Sequence, residues 1–156
     1  KSRRDGLTGL LNRNAMFELI ASTLEGLGHK GRHSLFMIDL DNFKAINDNF
    51  GHVFGDAVLR EVADELKKQF GNELTYRMGG DEYVAFAPDL SEDRLHDKVR
   101  AFSLAIEQKD YHAALGWATC ETASLRMENL LRIAETRMYQ AKSAYYQDKN
   151  TLPRGR

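Results

Sequence analysis

The sequence predicts an α+β domain, a sheet with helices packed on its faces, on three observations. Ser34-Leu-Phe-Met-Ile-Asp39 is a nearly continuous apolar run, which suits a central strand buried on both sides. Leu74–Met78 and Tyr83–Ala87 read as two strands flanking Gly79-Gly80-Asp81-Glu82, where a hairpin turn belongs because glycine reaches positive φ at no steric cost. Apolar residues at helical spacing occupy most of the remaining chain. A hairpin beside helix-connected strands argues against a doubly wound parallel fold. At 156 residues the chain is read as one domain over 1–156, with its core at about 5–150.

Taken in order, Asp5–Arg13 is a turn-rich lead-in. From Asn14 the pattern is helical, with Met16, Phe17, Leu19, Ile20, Leu24 and Leu27 on one face and Asn12 or Asn14 as cap. Gly26, Gly28 and Gly31 close that helix and open a basic loop through His33. The central strand stops at Asp39 and turns into a short helix that Gly51 ends. A longer helix is expected from about Phe54 to Phe70, with Val58, Leu59, Val62, Leu66 and Phe70 inward and Glu61, Glu65 and Lys68 outward. After the hairpin come a helix from Ser91 to about Gln108 and a short strand at Ala113–Ala118. A last helix from about Met127 to Tyr146 buries Leu130, Leu131, Ala134, Met138 and Ala141. The tail, Thr151–Arg156, has room for a short final strand at most.

Composition narrows the function classes. A net charge of −1 provides no overall attraction to nucleic acid or to an anionic membrane, so an anionic ligand must be bound by a local site. The single cysteine, Cys120, excludes an internal disulfide framework and suits a reducing cytoplasm. His29, His33, His52, His96 and His112 show no zinc-binding spacing. No run approaches the length of a membrane span and no signal peptide is visible. The chain opens on Lys1-Ser-Arg-Arg4 without a methionine, so it is expected to be part of a longer protein, cytoplasmic or the cytoplasmic part of a membrane-anchored one.

Three features bear on chemistry. Asp39 ends a buried strand and Asp41 follows two residues on; such carboxylates either pair or bind a cation, or else form a solvated loop with Asp41 capping the next helix. That helix begins at Asn42-Phe43-Lys44, whose free N–H groups can cradle phosphate, as any helix start can. The hairpin tip carries Asp81 and Glu82, either as a polar turn or as partners for Asp39 across adjacent strands. Two carboxylates held close repel unless a cation lies between them, and Mg²⁺ favours one or two carboxylates with phosphate oxygens. Neither a Walker A loop nor a GxGxxG is present.

Four motifs occur in order over about residues 5–150: Asp5-x-Leu-Thr-Gly-Leu-x-Asn-Arg13, Asp39-x-Asp-x-Phe-Lys-x-Ile-Asn-Asp-x-Phe-Gly-His52, Arg77-x-Gly-Gly-Asp-Glu-Tyr83 and Ala134-Glu-x-x-Met-Tyr-x-Ala-Lys142. Together they resemble the GGDEF domain of bacterial diguanylate cyclases. The resemblance implies a palm-like, nucleotidyl-cyclase or ferredoxin-like sheet and condensation of two GTP into cyclic di-GMP by a homodimer. It implies two Mg²⁺ or Mn²⁺ ions per site on Asp39, the Leu40 carbonyl and Asp81, with Glu82 assisting metal binding or proton transfer. It assigns the phosphates to Asn42, Phe43, Lys44 and Lys142, close backbone approach to Gly79 and Gly80, and the guanine edge to Asn47 and Asp56. An acidic acceptor left unpaired by adenine would cost on the order of 2–3 kcal/mol, which favours GTP. An upstream sensory or regulatory domain is expected; nucleic acid and membrane contact are not.

The chain departs from the family at three places. Phe70 and Glu73 stand where the inhibitory product site has Arg and Asp, so feedback inhibition of that kind is not expected. Tyr83 replaces the motif's Phe and brings a hydroxyl that needs a partner. Tyr146 stands where the family often has a phosphate-binding Arg, which predicts weaker GTP binding, with Lys142 and Lys149 remaining on that face.

Overall fold

The computed structural model describes residues 2–26, 31–120 and 127–148. Its strands are β1 (Leu11–Asn12), β2 (His33–Leu40), β3 (Thr75–Gly79), β4 (Glu82–Ala87) and β5 (Ala113–Cys120). The helices are α1 (Arg13–Gly26), α2 (Phe43–Phe50), α3 (His52–Phe70), α4 (Glu92–Glu107) and α5 (Met127–Asp148). The strands form one sheet in the order β1-β3-β4-β2-β5. β1 runs parallel to β3 and every other pairing is antiparallel.

The apolar run of β2 is central and buried throughout. Phe36, Ile38 and Leu40 face α3 and α4 together with Tyr83, Val58, Val62, Leu66, Phe102 and Ile106. Leu35 and Met37 face the opposite core, with Met16, Ile20, Val84, Phe86, Ala134 and Met138 of α1, β4 and α5. A strand clothed on both faces has no polar face to display, which is why its sequence does not alternate.

Several boundaries differ from expectation for local reasons. β1 is a two-residue strand seen only as a lead-in from sequence, too short to carry a period and defined by its pairing of Leu11 with Tyr76. Asn12 Oδ1 accepts the Ala15 N–H at 3.0 Å, so Asn12 is the cap of α1. His33 opens β2 rather than lying in a loop; it is fully buried and its Nδ1 accepts the Asp89 N–H at 2.9 Å. α3 starts at His52, separated from α2 by Gly51 at φ 89°. Glu65 is turned inward on α3, its carboxylate held by Lys68 at 3.0 Å. On α5 the buried stripe is Leu130, Ala134, Met138, Lys142 and Tyr146, while Ala141 is exposed. A four-residue step favours one narrow face, and the two polar members of that face proved to be inward. Leu27, Lys149 and the tail segment 151–156 lie outside the described residues. Among the described residues no helix is long and apolar enough to cross a membrane.

Candidate active site

β2 delivers Asp39 and Leu40 to the end of the sheet between β4 and β5. Asp39 is fully buried and stands opposite Glu82 on one side and Ala114 on the other. The register therefore places Glu82, not Asp81, across from Asp39. Asp81 lies in the turn itself, where its carbonyl accepts the Leu40 N–H at 3.2 Å. The extra residue that shifts the pairing is on β3, between Arg77 and Gly79, and such a bulge re-aims the turn it precedes.

That turn is Gly80-Asp81 alone, since β3 runs to Gly79 and β4 resumes at Glu82. Gly79 and Gly80 have φ of 140° and 53°, a requirement of the backbone, and a Cβ on either would meet no protein atom within 4 Å. Arg77 clamps the tip. Its guanidinium donates to the Gly80 carbonyl at 2.7 and 3.1 Å and to both Asp5 carboxylate oxygens at 3.1 and 3.2 Å. Partial burial pushes the Asp5 carboxyl up, but hydrogen bonds from Thr8 and the Arg77 charge outweigh it and hold it below its ordinary value. The lead-in motif thus anchors the hairpin that carries Asp81.

α5 supplies the cation. Gly116 of β5 lets the helix backbone come so close that a Cβ there would stand 2.1 Å from the Met138 nitrogen and 2.3 Å from the Ala134 oxygen. One turn beyond Met138, Lys142 lies over the end of β2. Its Nζ is 3.3 Å from Asp39 Oδ2 and 3.1 Å from Asp41 Oδ1, and it donates to the Leu40 carbonyl at 3.3 Å. Burial works against its charge, yet the Asp39 and Asp41 carboxylates outweigh burial and raise its pKa. Asp41, also buried, is held on its other side by His112 Nδ1 at 2.5 Å, and the His112 ring stacks on Tyr145 with centroids 3.9 Å apart. So Asp41 is neither solvated nor the helix cap.

The cap position of α2 belongs to Asn42, in the left-handed region at φ 59°, a conformation asparagine tolerates. Its N–H donates to the Tyr146 hydroxyl at 2.8 Å, and that hydroxyl donates to Asn42 Oδ1 at 3.1 Å. Tyr146 is itself buried, and the Lys142 ammonium lies 5.8 Å from its ring centroid. Phe43 packs on the core and Lys44 is exposed in the first turn of α2.

The expected nucleotide residues fall into two groups. Asp39, the Leu40 carbonyl, Asn42 and Lys142 are in one contact network, with Asp81 joined to it through the Leu40 amide. Asn47 sits on α2, about 7.5 Å along the helix from Asn42 at 1.5 Å per residue, and Asp56 sits on α3. Asn47 Oδ1 lies against Gly55, where a Cβ would come within 1.9 Å of it, so the glycine before Asp56 makes room for that side chain. Phe70 is buried against Phe36 at 5.3 Å, and exposed Glu73 pairs with Arg4 at 2.8 Å. Tyr83's hydroxyl donates to the Leu59 carbonyl at 2.8 Å, and burial drives its pKa well up. His112 and Tyr145 were not singled out from sequence; His112 pairs with a residue 71 positions away, a distance no spacing pattern records.

Among the described residues, no three His, Cys, Asp or Glu side chains gather as a metal site. The donor set is nevertheless suited to a hard cation, because one ammonium already rests on the Asp39 carboxylate and the Leu40 carbonyl together. The Lys142 ammonium thus touches two of the three expected ligands.

Comparison with known proteins identifies the family. The family described as "Diguanylate cyclase, GGDEF domain" matches residues 2–147. Diguanylate cyclase DgcP of Escherichia coli (strain K12) is 35% identical over 154 residues, covering 91% of this chain and 45% of that protein. Cyclic di-GMP phosphodiesterase PdeR of the same strain is 31% identical over 147 residues, covering 88% of this chain and 22% of that protein. This chain therefore spans less than half the length of either relative. A solved microbial GGDEF domain, described in an interaction with bis-(3′,5′)-cyclic di-GMP, is similar at TM-score 0.78 and 32% identity, over 92% of this chain and 95% of that one.

Proposed function

Because this chain belongs to the diguanylate cyclase GGDEF family, we propose that it condenses two GTP into cyclic di-GMP. Each 3′-oxygen forms a bond to the α-phosphorus of the other nucleotide, the bond to the β-phosphate oxygen breaks, and two pyrophosphates leave. The observation that carries the reading is the gathering of the Asp39 carboxylate and the Leu40 carbonyl around one cation, beside the turn that bears Asp81.

Asp39, the Leu40 carbonyl and Asp81 would hold Mg²⁺ or Mn²⁺, two ions per site. When bound, such ions neutralise the triphosphate and activate the 3′-hydroxyl. The chain's own groups do the rest. Amides of Asn42 and Phe43, with Lys44 and Lys142, hold the β- and γ-phosphates. Gly79 and Gly80 keep the hairpin edge free of side chains, and Glu82 assists metal binding or accepts a proton. Asn47 and Asp56 read the guanine edge, which selects GTP over ATP. Each domain holds one GTP, so catalysis requires a second copy face to face, brought there by an upstream sensory or regulatory domain in the cytoplasm. With Phe70 buried and Glu73 taken by Arg4, product does not inhibit at that site.

The alternative is a GTP-binding regulatory module without turnover, favoured by one observation: Tyr146 occupies the Asn42 amide and contributes no charge for phosphate. Incubation of the purified protein with GTP and Mg²⁺, followed by chromatography of the nucleotides, separates the two. Cyclic di-GMP that disappears in Asp81→Ala supports the cyclase. Saturable GTP binding without product, also from a forced dimer, favours the module.

A further inference from the structure

The two polar side chains that α5 sends toward the end of β2 and the start of α2 sit one helical turn apart. Lys142 places a positive charge on the Asp39 carboxylate and Leu40 carbonyl. Tyr146 places a neutral oxygen on the Asn42 N–H, at 2.8 Å. We propose that Tyr146 is a plug in the phosphate cradle: its phenol oxygen takes the hydrogen bond that a phosphate oxygen of the substrate would take, so nucleotide binds only by displacing it. This rests on the cyclase reading for the identity of the displaced ligand, but the contact itself is in the structure.

The arrangement is built to hold. Tyr146 is 2% exposed, and its hydroxyl closes a two-point clasp by donating back to Asn42 Oδ1 at 3.1 Å. Asn42 is exposed as a residue, and its N–H loses its acceptor once the phenol leaves. A phosphate oxygen wins the exchange because a charge-assisted hydrogen bond is roughly twice as strong as a neutral one. The exchange still costs the clasp, and that cost is taken from the affinity. An aromatic residue at this place therefore does two things: it omits a cationic phosphate contact and it competes for an amide.

The test uses the chain with Tyr146→Phe, which keeps the ring packed and its contact with Lys142 while removing only the oxygen. Affinity for the α,β-methylene analogue of GTP, whose P–C bond cannot release pyrophosphate, is measured calorimetrically with Mg²⁺. Hydrogen exchange at the Asn42 amide is followed without nucleotide. Removing one competing hydrogen bond is expected to tighten binding about 2- to 10-fold and to speed exchange at Asn42. A substitution that merely loosened the fold would weaken binding instead. Equal or weaker binding by the variant, in a protein that does bind the analogue, overturns the plug and leaves the cyclase reading standing. Binding by neither protein overturns the nucleotide reading and the plug with it.

Discussion

Gly116→Ala tests how α5 is held over the site. The new Cβ would stand 2.1 Å from the Met138 nitrogen and 2.3 Å from the Ala134 oxygen, whereas ordinary contacts begin at 3.4 Å. Both obstacles are helix backbone, which has no rotamer to escape into, so α5 must retreat by roughly 1 Å or more from β5. Overpacking of a dense core costs about 1–3 kcal/mol, and a clash with helix backbone belongs at the upper end, about 3 kcal/mol. For a domain of this size that lowers Tm by roughly 6–12 °C. Because Lys142 is one turn beyond Met138, the same retreat draws its ammonium away from the phosphates assigned to it and weakens binding of GTP with Mg²⁺. Thermal unfolding followed by circular dichroism reads the first effect and calorimetric titration the second. Gly26→Ala is the control: no atom lies within 4 Å of a Cβ there and its φ is not positive, so it should be neutral or slightly stabilising. A Gly116→Ala protein whose Tm stays within about 2 °C of wild type would show that α5 does not approach β5 as closely as described.

Three further outcomes follow from the same contacts. Lys142→Met leaves Asp39 and Asp41 buried without their common cation and should destabilise the fold by about 3–5 kcal/mol, with added MgCl₂ raising its Tm more than that of wild type; an equal response in both would contradict the role of Lys142 as that cation. Tyr83→Phe removes a buried hydroxyl from the Leu59 carbonyl and should cost about 0.5–1.5 kcal/mol in urea unfolding, with no change in nucleotide affinity. Asp5 titrates below its ordinary value of 3.8 in the folded chain, so its contribution is present above that pH and is lost as pH falls through the folded value. The stability advantage of wild type over Asp5→Asn should accordingly close in acid, and a gap that widens there would reverse the sign assigned to Arg77 and Thr8.

The division between sequence and structure follows the range of the forces involved. Helical and strand periods depend on neighbours a few residues away, so the apolar run at 34–39, the hairpin strands and the helices were legible from spacing, and the ordered motifs marked Asp39, Asp81 and Lys142 as a site. β1 was not legible, because two residues carry no period and only the partner strand makes them a strand. Nor was the burial of Lys142 and Tyr146, since a motif that assigns a side chain to a site does not say whether that side chain is wet. Whether it is wet depends on what lies across the gap. Here that is decided by Gly116, which admits the helix backbone, and by Asp39, Asp41 and Asn42, which meet Lys142 and Tyr146 from about a hundred residues away in the chain. The residue types of the site are a property of the sequence. That the site is filled by its own helix, with an ammonium on the carboxylates and a phenol on the amide, is a consequence of packing, because only packing sets how close two distant segments come.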